Sequence, residues 1–275
     1  MNYIYHNILS LRSQAAQNRL KILEMVYRGK SGHIGGALSA VDMITYLYAK
    51  QIDLDAEDRN RFLLSKGHAV PALYAVLHSY GIIRDEELNT FRCIDSRLQG
   101  HTNRLYIPET EVTTGLLGQG LSYGVGMAFG KKIKGSKSII YVMVGDGEMH
   151  EGQVWEALME AGHYRLDNLT LIIDRNGLCS HQPVENVISI EPLKERIESF
   201  GWYVTEIDGH DMTQIDSAIN RLKGQFGRPK CIIAHTIKGK GVSFMESNGK
   251  WHRSIPSEEE YQKAKEELLK LAEMK

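Results

Sequence analysis

Short apolar runs alternate along the chain with longer segments in which apolar residues recur every three or four positions. The short runs predict buried β-strands, and the longer period predicts amphipathic helices. Strands are expected at residues 61–65, within 139–147 and 169–177, and at 202–208 and 230–236. Helices are expected at residues 7–28, 39–49, 69–80, 85–92 and 150–166, in a glycine-containing segment ending at 131, between the last two strands, and after 257. This alternation predicts an α/β fold, a parallel sheet with helices on both faces.

Local signals place the ends of three of these helices. Gly29 follows the first helical segment, and glycine commonly terminates helices. Ser39 with Asp42, and Ser257 with Glu260, each resemble a capping box, in which serine and an acidic residue three positions later satisfy backbone N–H groups. The second helix is therefore expected to begin near Ser39 and the last helix near Ser257.

Two polar residues stand just beyond neighbouring predicted strands. Asp146 follows the apolar run in IIYVMVGDG, and Asn176 follows the run in LTLIIDRNG. The helical segment between them makes a strand–helix–strand unit with parallel strands, so both side chains should emerge at the same edge of the sheet. Gly145 and Gly147 let the backbone turn and approach a ligand shared by the two side chains. The helix that follows points N–H groups at the same place.

A phosphate suits this edge only if a cation accompanies it. A carboxylate about 4 Å from a phosphate costs on the order of 4 kcal/mol at an effective dielectric constant of 20, and a metal ion between them reverses the sign. Magnesium takes carboxylate, amide and backbone oxygens and commonly bridges a protein to a di- or triphosphate. Gly-Asp-Gly and Asn-Gly are each also frequent turns. Together, each closing a strand of one crossover unit, they favour a metal–phosphate site.

Composition narrows the class of protein. The 275 residues, 42% of them hydrophobic, suffice for one large domain spanning residues 1–275. A net charge of −1 without a long basic run argues against nucleic acid or an anionic membrane as a partner. The sequence has neither a signal-peptide pattern nor a membrane-spanning apolar stretch, so a cytoplasmic protein is expected. Cys93, Cys179 and Cys231 suit reduced thiols rather than disulfides or a zinc site.

Four histidines stand in turn-like surroundings rather than on apolar helix faces: His33 in SGHIGG, His68 in SKGHAV, His101 in QGHTN and His252 in KWHRS. Histidine can grip a phosphate oxygen, orient a carbonyl or hydroxyl group, or pass a proton. A single loop histidine is more often a solvated or capping side chain. Zinc ligation stays open, although the short paired spacings of structural and protease zinc sites are missing.

A glycine-rich stretch, residues 115–130, approximates a dinucleotide fingerprint through Gly118, Gly120 and Gly124. No β-rich run immediately precedes it, and no acidic residue closes a following strand about twenty residues on, as a ribose-binding site requires. The alternative is a thin helix face for close packing, formed by Gly120, Gly124 and Ala128.

Taken together, the motifs resemble the amino-terminal, diphosphate-binding domain of transketolase over nearly the whole chain. They occur in the family's order and approximate spacing: SGHIGG, LSKGHAV, LQGH, TTGLLGQGLS, GDGEMHEG, DRNG and IKGKGVSFMESNGKWH. The resemblance implies a thiamin diphosphate-binding fold, thiamine diphosphate as cofactor, and Mg²⁺ as its metal, with Ca²⁺ or Mn²⁺ as substitutes. It also implies transfer of a two-carbon ketol unit from a ketose phosphate to an aldose phosphate, as in the pentose phosphate pathway.

The resemblance further implies roles for individual residues. Positions that match metal ligands are Asp146, Asn176 and the backbone carbonyl of Leu178. Positions that match cofactor contacts are His68, Gly115, Leu117, Gly118, Gly147, Asn176, Lys238 and His252. Positions that match catalytic residues near the reacting groups are His33, His101 and His252. Glu151 matches an acid near the family's subunit interface.

The sequence also departs from the family. The family often has proline or serine at the position of Leu116 and glycine at that of Arg253. Family members are usually well over twice as long, and the glutamate that activates the cofactor lies in a pyrimidine-binding domain that this sequence lacks. We therefore expect a split transketolase in which a C-terminal subunit supplies that domain and the acceptor contacts, with two copies of each chain.

Three alternatives stay open at this point. The chain would belong to another thiamine diphosphate enzyme, such as a 1-deoxyxylulose-5-phosphate synthase-like or specialised sugar ketolase. It would otherwise be a non-catalytic cofactor-binding subunit, or a truncated piece of a longer enzyme. The motifs do not specify the sugar pair, because the acceptor contacts belong to the missing half.

Overall fold

The structure, a computed structural model, describes residues 7–273. The helices in this range are α1 (Ile8–Arg28), α2 (Ile34–Lys50), α3 (Val70–Ser79), α4 (Asp85–Leu88), α5 (Gln119–Ile133), α6 (Gly152–His163), α7 (Val184–Val187), α8 (Leu193–Ser199), α9 (Met212–Lys223) and α10 (Glu258–Glu273). The strands are β1 (Arg61–Leu64), β2 (Ile140–Gly145), β3 (Leu169–Arg175), β4 (Leu178–Cys179), β5 (Gln182–Pro183), β6 (Tyr203–Asp208) and β7 (Lys230–His235). None of the helices in this range is long and apolar enough to cross a membrane.

Five of the strands form one parallel sheet in the order β1-β2-β3-β7-β6. Strands β4 and β5 form a separate antiparallel ribbon. Ile140 pairs with Leu169 and Gly145 with Asp174, so β2 and β3 are parallel neighbours joined through α6. The predicted strand–helix–strand unit is therefore confirmed, and Asp146 and Asn176 leave the sheet at the same edge.

Alternate residues of the central strands pack into two separate cores. In β2, Tyr141 and Met143 face the core formed with α1, α2, α3, α9 and α10, whereas Val142 and Val144 face the core formed with α5, α6 and α8. Both sets of side chains are buried. A sheet covered on both faces needs apolar residues at every strand position, which explains the continuous apolar runs and confirms the predicted α/β fold class.

Two of the predicted helix ends are confirmed. The Gly29 N–H donates to the Met25 carbonyl at 2.9 Å and closes α1. At the start of α10, Ser257 N–H donates to Glu260 Oε2 at 2.8 Å and Glu260 N–H donates to Ser257 Oγ at 3.1 Å. This reciprocal pair is the predicted capping box.

The capping box predicted for Ser39 and Asp42 is wrong. Helix α2 begins at Ile34, and Ser39 lies one turn inside it. The Ser39 hydroxyl donates to Asp174 Oδ2 at 2.7 Å. The hydroxyl that the sequence pattern assigned to a helix cap therefore bonds to a strand residue instead. The helix predicted at residues 85–92 is also shorter than expected, because α4 ends at Leu88.

The glycines of α5 pack this helix closely against the sheet. A Cβ atom at Gly120 would lie 2.4 Å from Ser65 Cβ, and one at Gly124 would lie 2.4 Å from Val142 Cγ2. No strand directly precedes α5 in the described chain, since β1 ends at Leu64. The close-packing interpretation of this stretch is therefore confirmed, and the context of a dinucleotide fingerprint is missing.

Replacing Gly124 by alanine is expected to lower the free energy of unfolding by about 1–3 kcal/mol, because the new methyl group would push α5 off β2. Gly126 on the same helix provides a matched control, since no atom lies within 4 Å of its Cβ position. Gly126→Ala is expected to stabilise by about 0.4–1 kcal/mol through lower unfolded-state entropy. Urea denaturation followed by circular dichroism measures both effects. Equal changes in the two variants would contradict the packing account.

Candidate active site

The loops at the carboxyl edge of the sheet enclose a cavity of about 230 Å³. All the predicted site residues except Gly118 line it: His33, His68, His101, Gly115, Leu117, Asp146, Gly147, Asn176, Leu178, Lys238 and His252. Gly118 lies just behind the wall, where its N–H donates to Glu148 Oε1 at 2.9 Å. Residues that are far apart in the sequence thus meet around one small space.

A larger groove of about 990 Å³ lies along α5 and contains none of these residues. Its lining includes Leu105, Tyr123 and Met127, together with charged side chains such as Arg61 and Glu111 that already form ion pairs with each other. Size alone therefore does not mark the site. The smaller cavity is the candidate because it gathers groups capable of chemistry.

Asp146 is a buried carboxylate of this cavity, only 1% exposed. Its Oδ1 accepts a hydrogen bond from Gly147 N–H at 2.8 Å, and its Oδ2 accepts one from Gly177 N–H at 2.5 Å. Burial, followed by repulsion from Asp174, raises the pKa of Asp146. A cation bound beside this carboxylate would relieve both costs.

Asn176 and Leu178 also line the cavity, and each carries a further oxygen atom of the type that binds hard cations. Asn176 Nδ2 donates to Asp174 Oδ2 at 3.3 Å, which fixes the orientation of its amide. The Leu178 carbonyl accepts a hydrogen bond from Lys238 Nζ at 3.2 Å. Together with Asp146, these groups make the set of hard oxygen donors that Mg²⁺ prefers.

A zinc site built from histidine, cysteine and carboxylate side chains finds no support. Among residues 7–273, no group of three or more such side chains is arranged to hold a metal ion. This result does not bear on the predicted magnesium ligands, because Asp146 is the only histidine, cysteine or carboxylate side chain among them. The zinc alternative is therefore disfavoured, while the oxygen-rich set fits a hard cation.

Three histidine rings converge from separate loops. The ring centroids of His33 and His68 are 5.1 Å apart, those of His33 and His252 are 5.0 Å apart, and those of His68 and His252 are 5.5 Å apart. His101 lies on another side of the cavity, with its ring 3.2 Å from the Cβ position of Gly115. Gly115 has φ +150°, and the space beside His101 would not admit a larger side chain comfortably.

The four histidines are neutral near pH 7. Burial is the largest cause in each, lowering the pKa of His33 to about 4 and that of His252 to about 3. Burial also lowers the pKa of His101 and holds that of His68 well below its usual value. The buried Nδ1 atoms of His33 and His252 have no hydrogen-bond partner. Because buried polar atoms are normally paired, these two nitrogens indicate a site that receives a polar ligand.

Falling pH is expected to destabilise the unliganded chain between about pH 6.5 and pH 4. The pKa of His33 is lowered from 6.5 to about 4, so the unfolded chain takes up this proton first and stability is lost as the pH falls through that window. Urea midpoints measured from pH 7.5 to pH 4.5 give the slope. His33→Asn should flatten it, whereas His163→Asn, on the exposed side of α6, should not. An unchanged slope in His33→Asn would contradict the assignment.

Sequence analysis missed the buried ion pair of Lys66 and Asp174 at the cavity wall. Lys66 is 2% exposed and its Nζ donates to the Gly36 carbonyl at 3.1 Å and pairs with Asp174. Asp174, only 1% exposed, also accepts hydrogen bonds from the hydroxyl groups of Ser39 and Thr236. The sequence signal for this ion pair was the presence of two charged residues, Lys66 and Asp174, inside the SKGHAV and DRNG motifs. Strand periodicity gave Asp174 no separate role, because it lies at the end of an apolar run.

Glu148 is a second missed residue of the cavity wall. It is buried, and its carboxylate accepts hydrogen bonds from the N–H groups of Gly118 and Gly145, at 2.9 and 3.1 Å, and from the hydroxyl of Ser65 at 2.5 Å. Burial raises the pKa of Glu148 despite these bonds. The side chain joins the glycine-rich turn before α5 to the end of β2 and so fixes two walls of the cavity relative to each other.

The residues that depart from the family pattern face solvent. Leu116 is 78% exposed. Arg253 is also exposed, yet after burial its charge is the next cause that lowers the pKa of His33, so its guanidinium lies near the cavity. Glu151 is exposed as well, and its Cβ lies 2.9 Å from the Cβ position of Gly118.

The charges of the cavity suit an anion accompanied by a metal ion. Lys66 and Lys238 bring two ammonium groups, and burial together with the charge of Lys66 lowers the pKa of Lys238 to about 8. An anion in the cavity would relieve this repulsion, and the unpaired histidine nitrogens would gain a partner. The residues present therefore fit a phosphate-bearing ligand held through a metal.

An α/β fold with hard oxygen donors, buried lysines and neutral histidines at the carboxyl edge of its sheet fits the class of proteins that bind an anionic cofactor at that edge. Residues 12–270 match the family model for the transketolase, thiamine diphosphate binding domain. The chain belongs to the transketolase family. This match and the fold confirm the family that the motifs predicted.

Similar proteins fall into two length classes. The chain is 42% identical over 264 residues to one subunit of the apulose-4-phosphate transketolase of Phocaeicola vulgatus, covering 94% of each. It is 38% identical over 267 residues to a 6-deoxy-6-sulfo-D-fructose transketolase subunit of a Clostridium species, covering 95% of this chain and 97% of that protein. The transketolase structure from Campylobacter jejuni superposes with a TM-score of 0.89 at 34% identity, over 96% of this chain but 43% of that one. The chain thus spans less than half of that enzyme.

Proposed function

We propose that the chain is the amino-terminal, thiamine diphosphate-binding subunit of a two-chain transketolase, which transfers a two-carbon ketol unit from a ketose phosphate to an aldose phosphate. The observation that carries this proposal is the convergence of the metal-type oxygens, two lysines and four neutral histidines on one cavity. Relatives of nearly the same length carry the name transketolase subunit, which supports a division of the enzyme between two chains.

The cofactor would be held by one end. Asp146, Asn176 and the Leu178 carbonyl would bind Mg²⁺, for which Ca²⁺ or Mn²⁺ could substitute, and the metal would hold the diphosphate. His68 and Lys238, which line the same cavity, would contact the diphosphate. When bound, thiamine diphosphate supplies an electron sink for cleavage of a ketose between C2 and C3.

The remaining wall residues would orient the substrate. His33 and His101 are neutral, so each ring has one donor and one acceptor nitrogen with which to hold sugar hydroxyl groups and move a proton between them. The His252 ring lies 5.0 Å from the His33 ring and 5.5 Å from the His68 ring, centroid to centroid, and would contact both the substrate and the diphosphate. Gly115, Leu117 and the backbone near Gly118 would exclude water from the cofactor's apolar part.

A partner chain would complete the enzyme. In this proposal the chain is a single diphosphate-binding domain, residues 1–275, and the glutamate that activates the cofactor from its other end belongs to a second chain. The C-terminal subunit would bring that glutamate, the pyrimidine-binding domain and the contacts to the acceptor. Two copies of each chain would form two active sites.

Reconstitution tests this function. The purified chain with thiamine diphosphate, Mg²⁺, a ketose phosphate and an aldose phosphate is expected to show no ketol transfer. Addition of a C-terminal transketolase subunit, best taken from a neighbouring reading frame, should restore transfer. The same mixture with Asp146→Ala should stay inactive. Full activity of the chain alone would reject the two-chain proposal, and no transfer with the partner across a panel of donors would reject the activity.

A specialised sugar ketolase is the second candidate. It is favoured by the names of two relatives, one a transketolase of apulose 4-phosphate and the other of 6-deoxy-6-sulfo-D-fructose. A donor screen with the reconstituted enzyme separates the candidates if it includes both of these sugars, a common ketose phosphate and pyruvate. Turnover of pyruvate would instead indicate a 1-deoxyxylulose-5-phosphate synthase-like enzyme.

A further inference from the structure

His181 lies in the turn of the β4–β5 ribbon, just beyond the proposed metal loop, residues 176–178. No role has been assigned to it. Its Nδ1 is 2.8 Å from the Gly249 carbonyl oxygen. A carbonyl oxygen can only accept a hydrogen bond, so Nδ1 carries the proton and donates it. The side chain is exposed, and this bond ties the ribbon to the loop that follows β7.

Gly249 begins the short helical turn that ends at His252. A Cβ atom at Gly249 would lie 2.4 Å from the His181 carbonyl oxygen, so only glycine allows the two turns to approach this closely. At the other end of the turn, the ring centroids of His181 and His252 are 5.7 Å apart and the rings are nearly perpendicular, at 77°. His181 therefore contacts the turn at both its first and its last residue.

The turn helps to position the His252 ring, which also contacts the rings of His33 and His68. Its buried Nδ1 has no hydrogen-bond partner, so no bond from that atom fixes the ring. On one side the turn is anchored by Trp251, which is buried and donates from Nε1 to the Phe244 carbonyl at 3.0 Å. On the other side the anchor is His181.

The ribbon that carries His181 is also tied to the proposed metal loop. Lys238 Nζ donates to the carbonyls of Leu178, at 3.2 Å, and Ser180, at 2.9 Å. Leu178 N–H in turn donates to Asn176 Oδ1 at 3.2 Å. A short continuous path of contacts thus joins Asn176, through the ribbon and His181, to His252.

We propose that His181 is a positioning residue, which holds the His252 ring in the cavity and couples it to the loop of Asn176 and Leu178. The ligand involved is the diphosphate of the cofactor with its metal, so this inference rests on the proposed function. Ordering of the loop by the ligand and placement of the His252 ring then support each other.

Two variants separate the hydrogen bond from the bulk of the side chain. His181→Leu removes the donor, whereas the Nδ2 of His181→Asn stands close to the position of Nδ1 and can still donate to the Gly249 carbonyl. His235→Leu is the matched control, because His235 is another exposed histidine with one polar partner, Glu206 Oε2 at 2.8 Å. Gly249→Ala tests the close approach of the turns with His181 intact.

The first measurement uses the unliganded chain. Ring signals of ¹³C-labelled histidine are recorded by NMR, and those of His252 are assigned by their loss in His252→Gln. The His252 signals are expected to shift or broaden in His181→Leu and Gly249→Ala, and to keep their wild-type positions in His181→Asn and His235→Leu. Unchanged His252 signals in His181→Leu would overturn the inference.

The second measurement titrates the chain with thiamine diphosphate at fixed Mg²⁺ in a calorimeter. Loss of one hydrogen bond in His181→Leu is expected to raise Kd by about three- to tenfold, without a change in thermal midpoint beyond that of His235→Leu. His181→Asn should bind within about twofold of the wild type. Equal weakening in the Leu and Asn variants would also overturn the inference. If the wild type does not bind the cofactor, the proposed function fails, while the NMR comparison still decides the positioning role.

Discussion

Replacing Asp146 by asparagine is expected to weaken the metal-dependent binding of thiamine diphosphate by more than about 100-fold. Asp146 is the only carboxylate of the proposed ligand set, and changes in residues that merely orient metal ligands already cost about 10–100-fold. Asparagine keeps an oxygen that can accept from Gly147 or Gly177 N–H, so the backbone around the site retains a partner. The weaker binding should therefore come from loss of the negative charge that a metal ion needs.

Calorimetric titrations at several Mg²⁺ concentrations measure this effect. The unliganded variant should be at least as stable as the wild type, since burial raises the pKa of Asp146 and its ionised form is costly in the folded chain. Asp208→Asn serves as the control, because Asp208 is an exposed carboxylate that ends β6 at the same edge of the sheet, outside the cavity. An unchanged Mg²⁺ requirement in Asp146→Asn would remove this residue from the metal site.

The sheet and the centre of the site could be predicted because they depend on local patterns. A strand buried on both faces must be apolar throughout, so β2 and β3 were visible as runs, and parallel pairing then required Asp146 and Asn176 to emerge together. The thin face of α5 was visible for a similar reason, since Gly124 recurs at helical spacing from Gly120. In each case the residue type and its position were sufficient without knowledge of distant contacts.

Other features escaped prediction because they depend on partners far away in the sequence. Ser39 has the local pattern of a helix cap, but Asp174, 135 positions away, accepts its hydrogen bond inside α2. The β4–β5 ribbon has two residues in each strand, too few to produce a period. In the sequence, His181 is only a histidine near a turn. Its proposed positioning role depends on a contact with Gly249, which lies in the loop after β7.

The site is built around charges that compensate one another in pairs. Lys66 compensates Asp174, which in turn orients Asn176, whereas the ion-pair partner of Asp146 is more distant, Arg175 Nη1 at 3.5 Å. This difference explains why the pKa of Asp174 is lowered although it is buried, and that of Asp146 is raised. Asp146, the less compensated of these two aspartates, is the one that lines the cavity, where a metal ion would add its charge.

Replacing Lys66 by methionine is expected to destabilise the chain by about 3–5 kcal/mol, because it leaves Asp174 as an unpaired charge in the core. Burial alone would raise the pKa of Asp174, but Lys66, Thr236 and Ser39 hold it below its usual value. Without the lysine, burial dominates and the pKa rises. Ionised Asp174 then costs stability, so the destabilisation should be larger at pH 8 than at pH 5.

Urea denaturation of Lys66→Met, and of Lys66→Met combined with Asp174→Asn, separates lost charge compensation from lost packing. The double variant has no buried charge at this place, while asparagine can still bond to Ser39 and Thr236, so it should recover most of the lost free energy. Lys131→Met is the matched control: its partner Asp58 is more than half exposed, and loss of such a surface pair has little effect on stability. If the double variant is no more stable than Lys66→Met, the lysine contributes by packing, and the orientation of Asn176 by a compensated Asp174 loses its physical basis.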